Sequence, residues 1–156
     1  MAEQNMDHAQ VAVPPPLVFL GYLIGALILN WAVPFPTPWT FVLRIVGGVM
    51  VIPGFLLAGS SFSQMIRAHT SPDPHQPVTA LVTDGPYRFT RNPIYVGFFL
   101  VYLGFTLLAG TLWGVIASPF LLLTITQSVI RPEEYYLEVK FKEQYTGYKS
   151  RVRRWI

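Results

Sequence analysis

From residue 17 onward the chain alternates long apolar runs with polar interruptions. Residues 17–33 are apolar except for Asn30, and at 1.5 Å per residue such a run approaches the roughly 30 Å hydrocarbon thickness of a bilayer. A second apolar run covers 39–59. Between them, Pro34, Pro36 and Pro38 alternate with Phe35 and Thr37; proline lacks the backbone donor and breaks helices, so a short extended turn is predicted there. Two further apolar runs, 94–109 and 112–130, are separated by Gly110-Thr111, a connection short enough to predict an antiparallel helical hairpin. The first of these covers only about 24 Å, which suits a tilted helix, a locally thinned bilayer or a partly re-entrant hairpin.

The polar stretches complete the pattern. Residues 1–16 are polar and end in Pro14-Pro15-Pro16; residues 60–92 form a long polar loop; residues 131–156 are polar but carry Tyr135, Tyr136, Phe141, Tyr145, Tyr148 and Trp155. The last segment reads as an amphipathic tail packed on the membrane or on the hairpin. Structureless loops as long as 60–92 are usually functional or disordered, and the aromatic and basic residues here exceed what a linker needs. The expected fold is therefore an all-α integral membrane protein, one domain over 1–156, with about four transmembrane helices, a C-terminal helical hairpin and a cytoplasmic tail. Trp31 and Trp39 suit the headgroup level. Arg44 is placed to snorkel, and Gly47 with Gly48 to let helices approach closely.

Composition supports lipid as the solvent, with 52% hydrophobic and 12% charged residues against about 25% charged in soluble domains. Seven of the eleven Lys and Arg fall between Arg131 and Arg154, and all but Arg44 lie in the 60–92 loop or the tail. The positive-inside rule then places loop, tail and N-terminus in the cytoplasm, with the bacterial inner membrane as the expected location. The basic tail beside a membrane domain points to lipid headgroups, not nucleic acid, as its partner. The absence of cysteine excludes disulfides, thiolate metal sites, a Cys nucleophile and a prenylated cysteine. His8, His69 and His75 have no metal-binding spacing, so no metal site is expected. The apolar runs contain no Asp or Glu, which argues against ion-coupled transport.

Two polar motifs stand at the cytoplasmic ends of the hairpin, residues 85–97 (GPYRFTRNPIYVG) and Arg131-Pro132-Glu133-Glu134. Asn92 before Pro93 is suited to start a helix, and a helix N-terminus in turn attracts a carboxylate. Tyr87 and Tyr95 are placed to flank a planar ring. Glu133 and Glu134 complement a helix dipole. Because successive helical residues point about 100° apart, the two cannot line the same narrow face. One is free to bind a ligand cation or ribose hydroxyls while its neighbour packs against Arg88, Arg91 or Arg131.

These motifs, with PEEYYLEVKFKEQYTGYKSRVRRWI closing the chain and 70–74 and Leu81-Val82-Thr83-Asp84 preceding them, resemble the isoprenylcysteine carboxyl methyltransferase family in its bacterial form, and its phospholipid methyltransferase relatives. The resemblance runs from about residue 70 to the end. It implies S-adenosylmethionine as cofactor, bound by Tyr87, Arg91, Asn92, Pro93, Tyr95, Gly97, Glu133, Glu134, Tyr145 and Tyr148. Leu137 and Phe141 also match the family pattern. It implies a lipophilic acceptor, isoprenylcysteine-like or phospholipid-like, with Arg91, Glu134 and Arg154 as catalytic candidates. An arginine, Arg91 or Arg154, would orient a carboxylate acceptor; an amine or hydroxyl would need a base, Glu134 or Tyr95. Asn92 stands where eukaryotic-type members have His, and Lys142 where Gly usually follows the phenylalanine. Two rival readings are an NADPH-dependent membrane reductase of the sterol-reductase type and a non-enzymatic transporter or scaffold.

Overall fold

The computed structural model describes residues 8–35 and 38–156. Residues 1–7 of the polar N-terminal segment, and Pro36 and Thr37 of the proline turn, lie outside the described residues. Five helices dominate: α1 (Pro15–Ala32), α2 (Thr40–Arg67), α3 (Pro93–Leu108), α4 (Trp113–Ile125) and α5 (Arg131–Arg151). A turn of 3₁₀ helix (Gly85–Arg88) precedes α3, and a π-helical turn (Thr126–Ile130) joins α4 to α5. The described residues contain no strand. The chain is an all-α integral membrane protein, as the apolar pattern predicts. By length and composition α1, α2 and the helical run Trp113–Arg151 can cross a membrane. In that last helix the apolar part ends near Ile130, since Arg131–Arg151 is rich in charge. α3 is apolar but has only 16 residues. Leu20, Ile24 and Ile28 of α1 and Phe41, Ile45, Val49, Ile52 and Leu56 of α2 are exposed, a surface that lipid covers without cost.

Two boundaries differ from the sequence expectation. α2 continues to Arg67 instead of stopping near residue 59, because Ser60 and Ser61 satisfy their hydroxyls inside the helix by donating to the Leu57 carbonyl at 3.0 and 2.6 Å. The tail is also not a separate element. Pro132 has no N–H to give the carbonyl four residues back, and just before it the Arg131 N–H reaches Thr126 in a five-residue step, so the helix widens by one turn and runs on.

What aligns α2 with α3 is glycine. A Cβ on Gly47 would come within 2.5 Å of the Gly104 carbonyl oxygen, and one on Gly97 within 2.7 Å of the Gly54 carbonyl oxygen. The two glycine pairs, seven residues apart on each helix, bring the backbones into contact. Gly48 has only the Leu108 side chain nearby, at 3.7 Å. The α3–α4 hairpin turns at Gly110, whose φ of 74° falls in the left-handed region. It is fastened by the Tyr102 hydroxyl donating to the Gly114 carbonyl at 2.9 Å. α1 leans on the hairpin through Phe19 against Phe98 and through the Tyr22 hydroxyl on Thr124 at 2.8 Å.

Two buried clusters sit at the loop-and-tail end. One joins Phe19, Tyr95, Leu121, Ile125, Val129, Ile130 and Tyr136 with Ala9 and Val11 of the N-terminal segment. The other is Tyr87, Tyr145 and Tyr148, supported by Met65, Leu81, Val82, Leu137 and Phe141.

Candidate functional site

The 60–92 loop beyond α2 does not trail into solvent. Its residues 71–82, the 3₁₀ turn, the start of α3 and both halves of α5 enclose a cavity of about 830 Å³, counting its open mouth. The tail closes one side. After α5 the chain is extended, and the Arg91 N–H donates to the Arg153 carbonyl at 2.9 Å. The Arg154 carbonyl accepts from the Thr90 hydroxyl at 3.1 Å and from the Asn92 amide at 2.9 Å. Asn92 thus binds the tail and makes no side-chain cap on α3, unlike the capping role its place before Pro93 suggested.

The two adjacent glutamates are divided as helical geometry requires. Glu134 is spent on arginines: its Oε1 accepts from Arg91 Nη2 at 2.9 Å and from Arg154 Nε at 3.0 Å, and its Oε2 from Arg154 Nη2 at 2.7 Å. Both Glu134 and Arg91 have side chains 8% exposed, whereas Arg154 is 33% exposed. Of the partners considered from sequence, Arg91 is the one used; Arg154 was not among them. Glu133 instead accepts one hydrogen bond, from the Tyr95 hydroxyl at 2.7 Å. Burial pushes its carboxyl up to about 7; the Tyr95 bond opposes that rise and the Glu134 charge adds to it.

Arg91 is only partly used. Its Nε and Nη1, and the Tyr87 hydroxyl, are buried with no hydrogen-bond partner. Such donors are costly to bury unsatisfied, and all belong to residues of the cavity wall. Tyr148 donates to the Tyr87 carbonyl at 2.7 Å, and burial pushes the Tyr148 phenol up to about 12. The Tyr87 and Tyr145 phenols are raised by burial as well. These tyrosines are neutral donors, not bases, near neutral pH.

Of the sequence-derived residues, Tyr87, Arg91, Asn92, Pro93, Tyr95, Glu133, Glu134, Tyr145 and Tyr148 line the cavity together. Gly97 does not. It faces α2, where its place is explained by contact with Gly54 and Ala58, and a cofactor contact there is not supported. Arg154 stands behind Glu134, outside the wall. Ala9, Ser71, Asp73, Leu81 and Val82, none of them a sequence-derived site residue, belong to the wall as well. Ser71, Asp73, Leu81 and Val82 lie in the stretches 70–74 and 81–84 that carry part of the resemblance, whereas Ala9 left no trace. Among the described residues no group of His, Asp and Glu could hold a metal ion.

Residues 42–144 match the model of the family described as phospholipid methyltransferase. The chain belongs to the phospholipid methyltransferase family. This matches the resemblance drawn from the motifs, and curated relatives extend it to isoprenylcysteine methyltransferases. The protein-S-isoprenylcysteine O-methyltransferase of Schizosaccharomyces pombe is 35% identical over 95 residues, 61% of this chain and 38% of the relative. A probable protein-S-isoprenylcysteine O-methyltransferase of Oryza sativa subsp. indica is 32% identical over 114 residues, 69% of this chain and 57% of the relative. An uncharacterized protein of Haemophilus influenzae is 38% identical over 63 residues, 40% of this chain and all of the relative. The chain thus spans well under two thirds of the length of these named methyltransferases. No solved structure matches it.

Proposed function

We propose that this member of the phospholipid methyltransferase family transfers a methyl group from S-adenosylmethionine to a lipophilic acceptor at the cytoplasmic face of the membrane. One observation carries the reading: a single cavity contains a half-buried carboxylate held only by a tyrosine and a buried guanidinium with two free donors. That combination suits the zwitterionic, sulfonium-bearing end of the cofactor. Arg91 Nε and Nη1 would take its carboxylate and Glu133 would face its positive charge. The Tyr87 hydroxyl is a further free donor, and Leu81, Val82, Tyr145 and Tyr148 offer apolar surface for a planar ring.

The bound cofactor supplies an electrophilic methyl group, so the protein's work is alignment and charge complementarity, not covalent catalysis. Glu134 and Arg154 are positioning residues here: they hold Arg91 so that its free edge meets the ligand. Glu134 is therefore a poor base, committed as it is to two guanidinium groups. For a protic acceptor, Glu133, with its raised carboxyl, is the better proton acceptor; a carboxylate acceptor needs none. The site lies where α3 and the α4–α5 helix leave their apolar sections, which lets a water-soluble cofactor and a membrane-dissolved acceptor meet. A prenyl-, fatty- or phospholipid-like acceptor fits that placement. Loop and tail, with ten of the eleven basic residues, would face the cytoplasm of a bacterial inner membrane.

The test is methyl transfer itself. Protein in nanodiscs, given methyl-labelled S-adenosylmethionine and total lipid extract, is expected to place label in an organic-phase product, and Glu133→Gln should abolish most of it. Thermal stabilisation by NADPH but not by S-adenosylmethionine, with no label transferred, would overturn the reading in favour of a reductase.

A further inference from the structure

Residues 8–14 do not project away from the protein. Ala9 and Val11 are buried, Val11 joins the cluster built on Phe19, Tyr95 and Tyr136, and Ala9 forms part of the cavity wall. Ser71, Pro72, Asp73 and Pro74 belong to the same wall. A strap and a loop therefore bound the cavity together, and they belong to segments about sixty residues apart. Beyond the shared apolar cluster, where Val78 of the loop packs against the residues that include Ala9 and Val11, they are joined among the described residues by a hydrogen bond from His75. Its Nε2 lies 3.0 Å from the Val11 carbonyl oxygen, and its Nδ1 lies 3.1 Å from Asp73 Oδ1.

The chemistry of those two acceptors sets the state of the ring. A carbonyl oxygen only accepts, and so does an ionised carboxylate. Asp73 is ionised: the backbone N–H of His75, donating at 3.0 Å, together with the ring, holds its carboxyl below the usual range. Both ring nitrogens must then carry hydrogen, which only the imidazolium does. A neutral imidazole has one N–H and must give up either Asp73 or Val11. Two titratable groups face the ring, Asp73 from its own loop and His8 from the strap, whose ring centroid is 6.5 Å away.

We propose that His75 is a proton-operated latch: as imidazolium it pins residues 8–14 against the cavity, and on losing its proton it lets them open. Histidine is the side chain that ordinarily changes charge between pH 5 and 8. The strap is thus held while the ring carries both protons and freer once one is lost, making cavity access depend on pH. The latch bears on cofactor entry if the functional reading above holds, but it is defined by the position of the strap alone and is tested without any ligand.

The chain has no cysteine, so spin labels can be placed cleanly on Gln10→Cys and Gln76→Cys, both exposed positions, in the full chain in nanodiscs. A second pair, Gly59→Cys and Phe120→Cys on α2 and α4, reports on the helical body. At pH 5.5 the strap pair is expected to show a short, narrow distance. At pH 8.5 the open population should rise about fivefold, the effect of losing one hydrogen bond of ordinary net strength. The helical pair should not move. His75→Ala should show the open population at both pH values, and His8→Gln should keep the pH response. An unchanged strap distance across pH, a His75→Ala protein that stays closed or still responds, or a parallel movement of the helical pair would overturn the proposal. A strap that opens as expected in a protein that fails to bind S-adenosylmethionine would leave the latch standing and remove only the cofactor reading.

Discussion

Along α2 and α3 the backbones touch at Gly47, Gly54, Gly97 and Gly104, with no space for a single added carbon. A few residues away, around Tyr87, Arg91 and Glu133, large side chains line an open cavity and leave donors unpaired. The seam has no tolerance and no chemistry; the cavity has both. Yet residues 85–97 serve the two at once: Tyr87, Arg91, Asn92 and Tyr95 belong to the cavity, and Gly97 belongs to the seam. What the contrast teaches is that a sequence motif is not a site. Its glycine fixes the first turns of α3 against α2, and its polar residues are thereby presented to α5.

The difference can be broken most severely from the seam side. Gly97→Val would drive a side chain into the Gly54 carbonyl and Ala58. Because those contacts are helix backbone and cannot yield, the cost should be about 3 kcal/mol, the upper end of ordinary overpacking. Thermal unfolding followed by size-exclusion in detergent should show a large loss of intact protein. Gly59→Ala, where nothing lies within 4 Å, should be neutral or slightly stabilising.

Next in size is Glu134→Gln. It would remove the charge shared by Arg91 and Arg154 and leave Arg91 buried without its partner, a loss of roughly 3 kcal/mol for a buried pair, lessened here because Arg154 is a third exposed. Stability without ligand should therefore fall, and cofactor affinity should fall with it. Arg154→Lys, measured the same way, should lose less stability, since one bidentate contact is reduced to a single one. Normal stability in Glu134→Gln would mean that the arginine cluster does not order the cavity.

The smallest effect lies outside both regions. Lys142 interrupts α5 with φ 45° and ψ −119°, a conformation suited to glycine. Lys142→Gly should raise stability by about 1 kcal/mol and leave ligand affinity unchanged, both measured in the same nanodisc preparation.

Lys142 also marks how far the chain could be read before its fold was known. The residue was visible as a letter, but that it sits at a positive-φ kink depends on backbone angles that no pattern of polarity encodes. The apolar helices were legible because lipid imposes long uninterrupted hydrophobic runs. The end of α2 was not, because Ser60 and Ser61 look polar in sequence while their hydroxyls are satisfied within the helix. For the cavity, the 100° step of a helix showed that Glu133 and Glu134 must diverge. Which one meets the arginines depends on the π turn before Pro132, a one-residue change in phase. Arg154 was a candidate from the resemblance, but that it stands behind Glu134 and not in the wall, and that Ala9 joins the wall, depend on long-range contacts that carry no local signal.

The central claim is that Glu133 faces the positive charge of a bound S-adenosylmethionine, and direct titration calorimetry of that cofactor tests it. The sign of the pH effect follows from the carboxyl raised to about 7. Protonation favours the folded apo protein, so stability from this group is full below about 4.5 and is lost as pH climbs through about 7. Ligand binding needs the ionised form and should tighten over the same upper range. Glu133→Gln should keep or gain apo stability at pH 8 and bind the cofactor roughly tenfold to a hundredfold more weakly there. At pH 6, where Glu133 holds its proton, the gap from the parent should narrow by about tenfold. A Glu133→Gln protein that binds S-adenosylmethionine as tightly as the parent at both pH values would contradict the account.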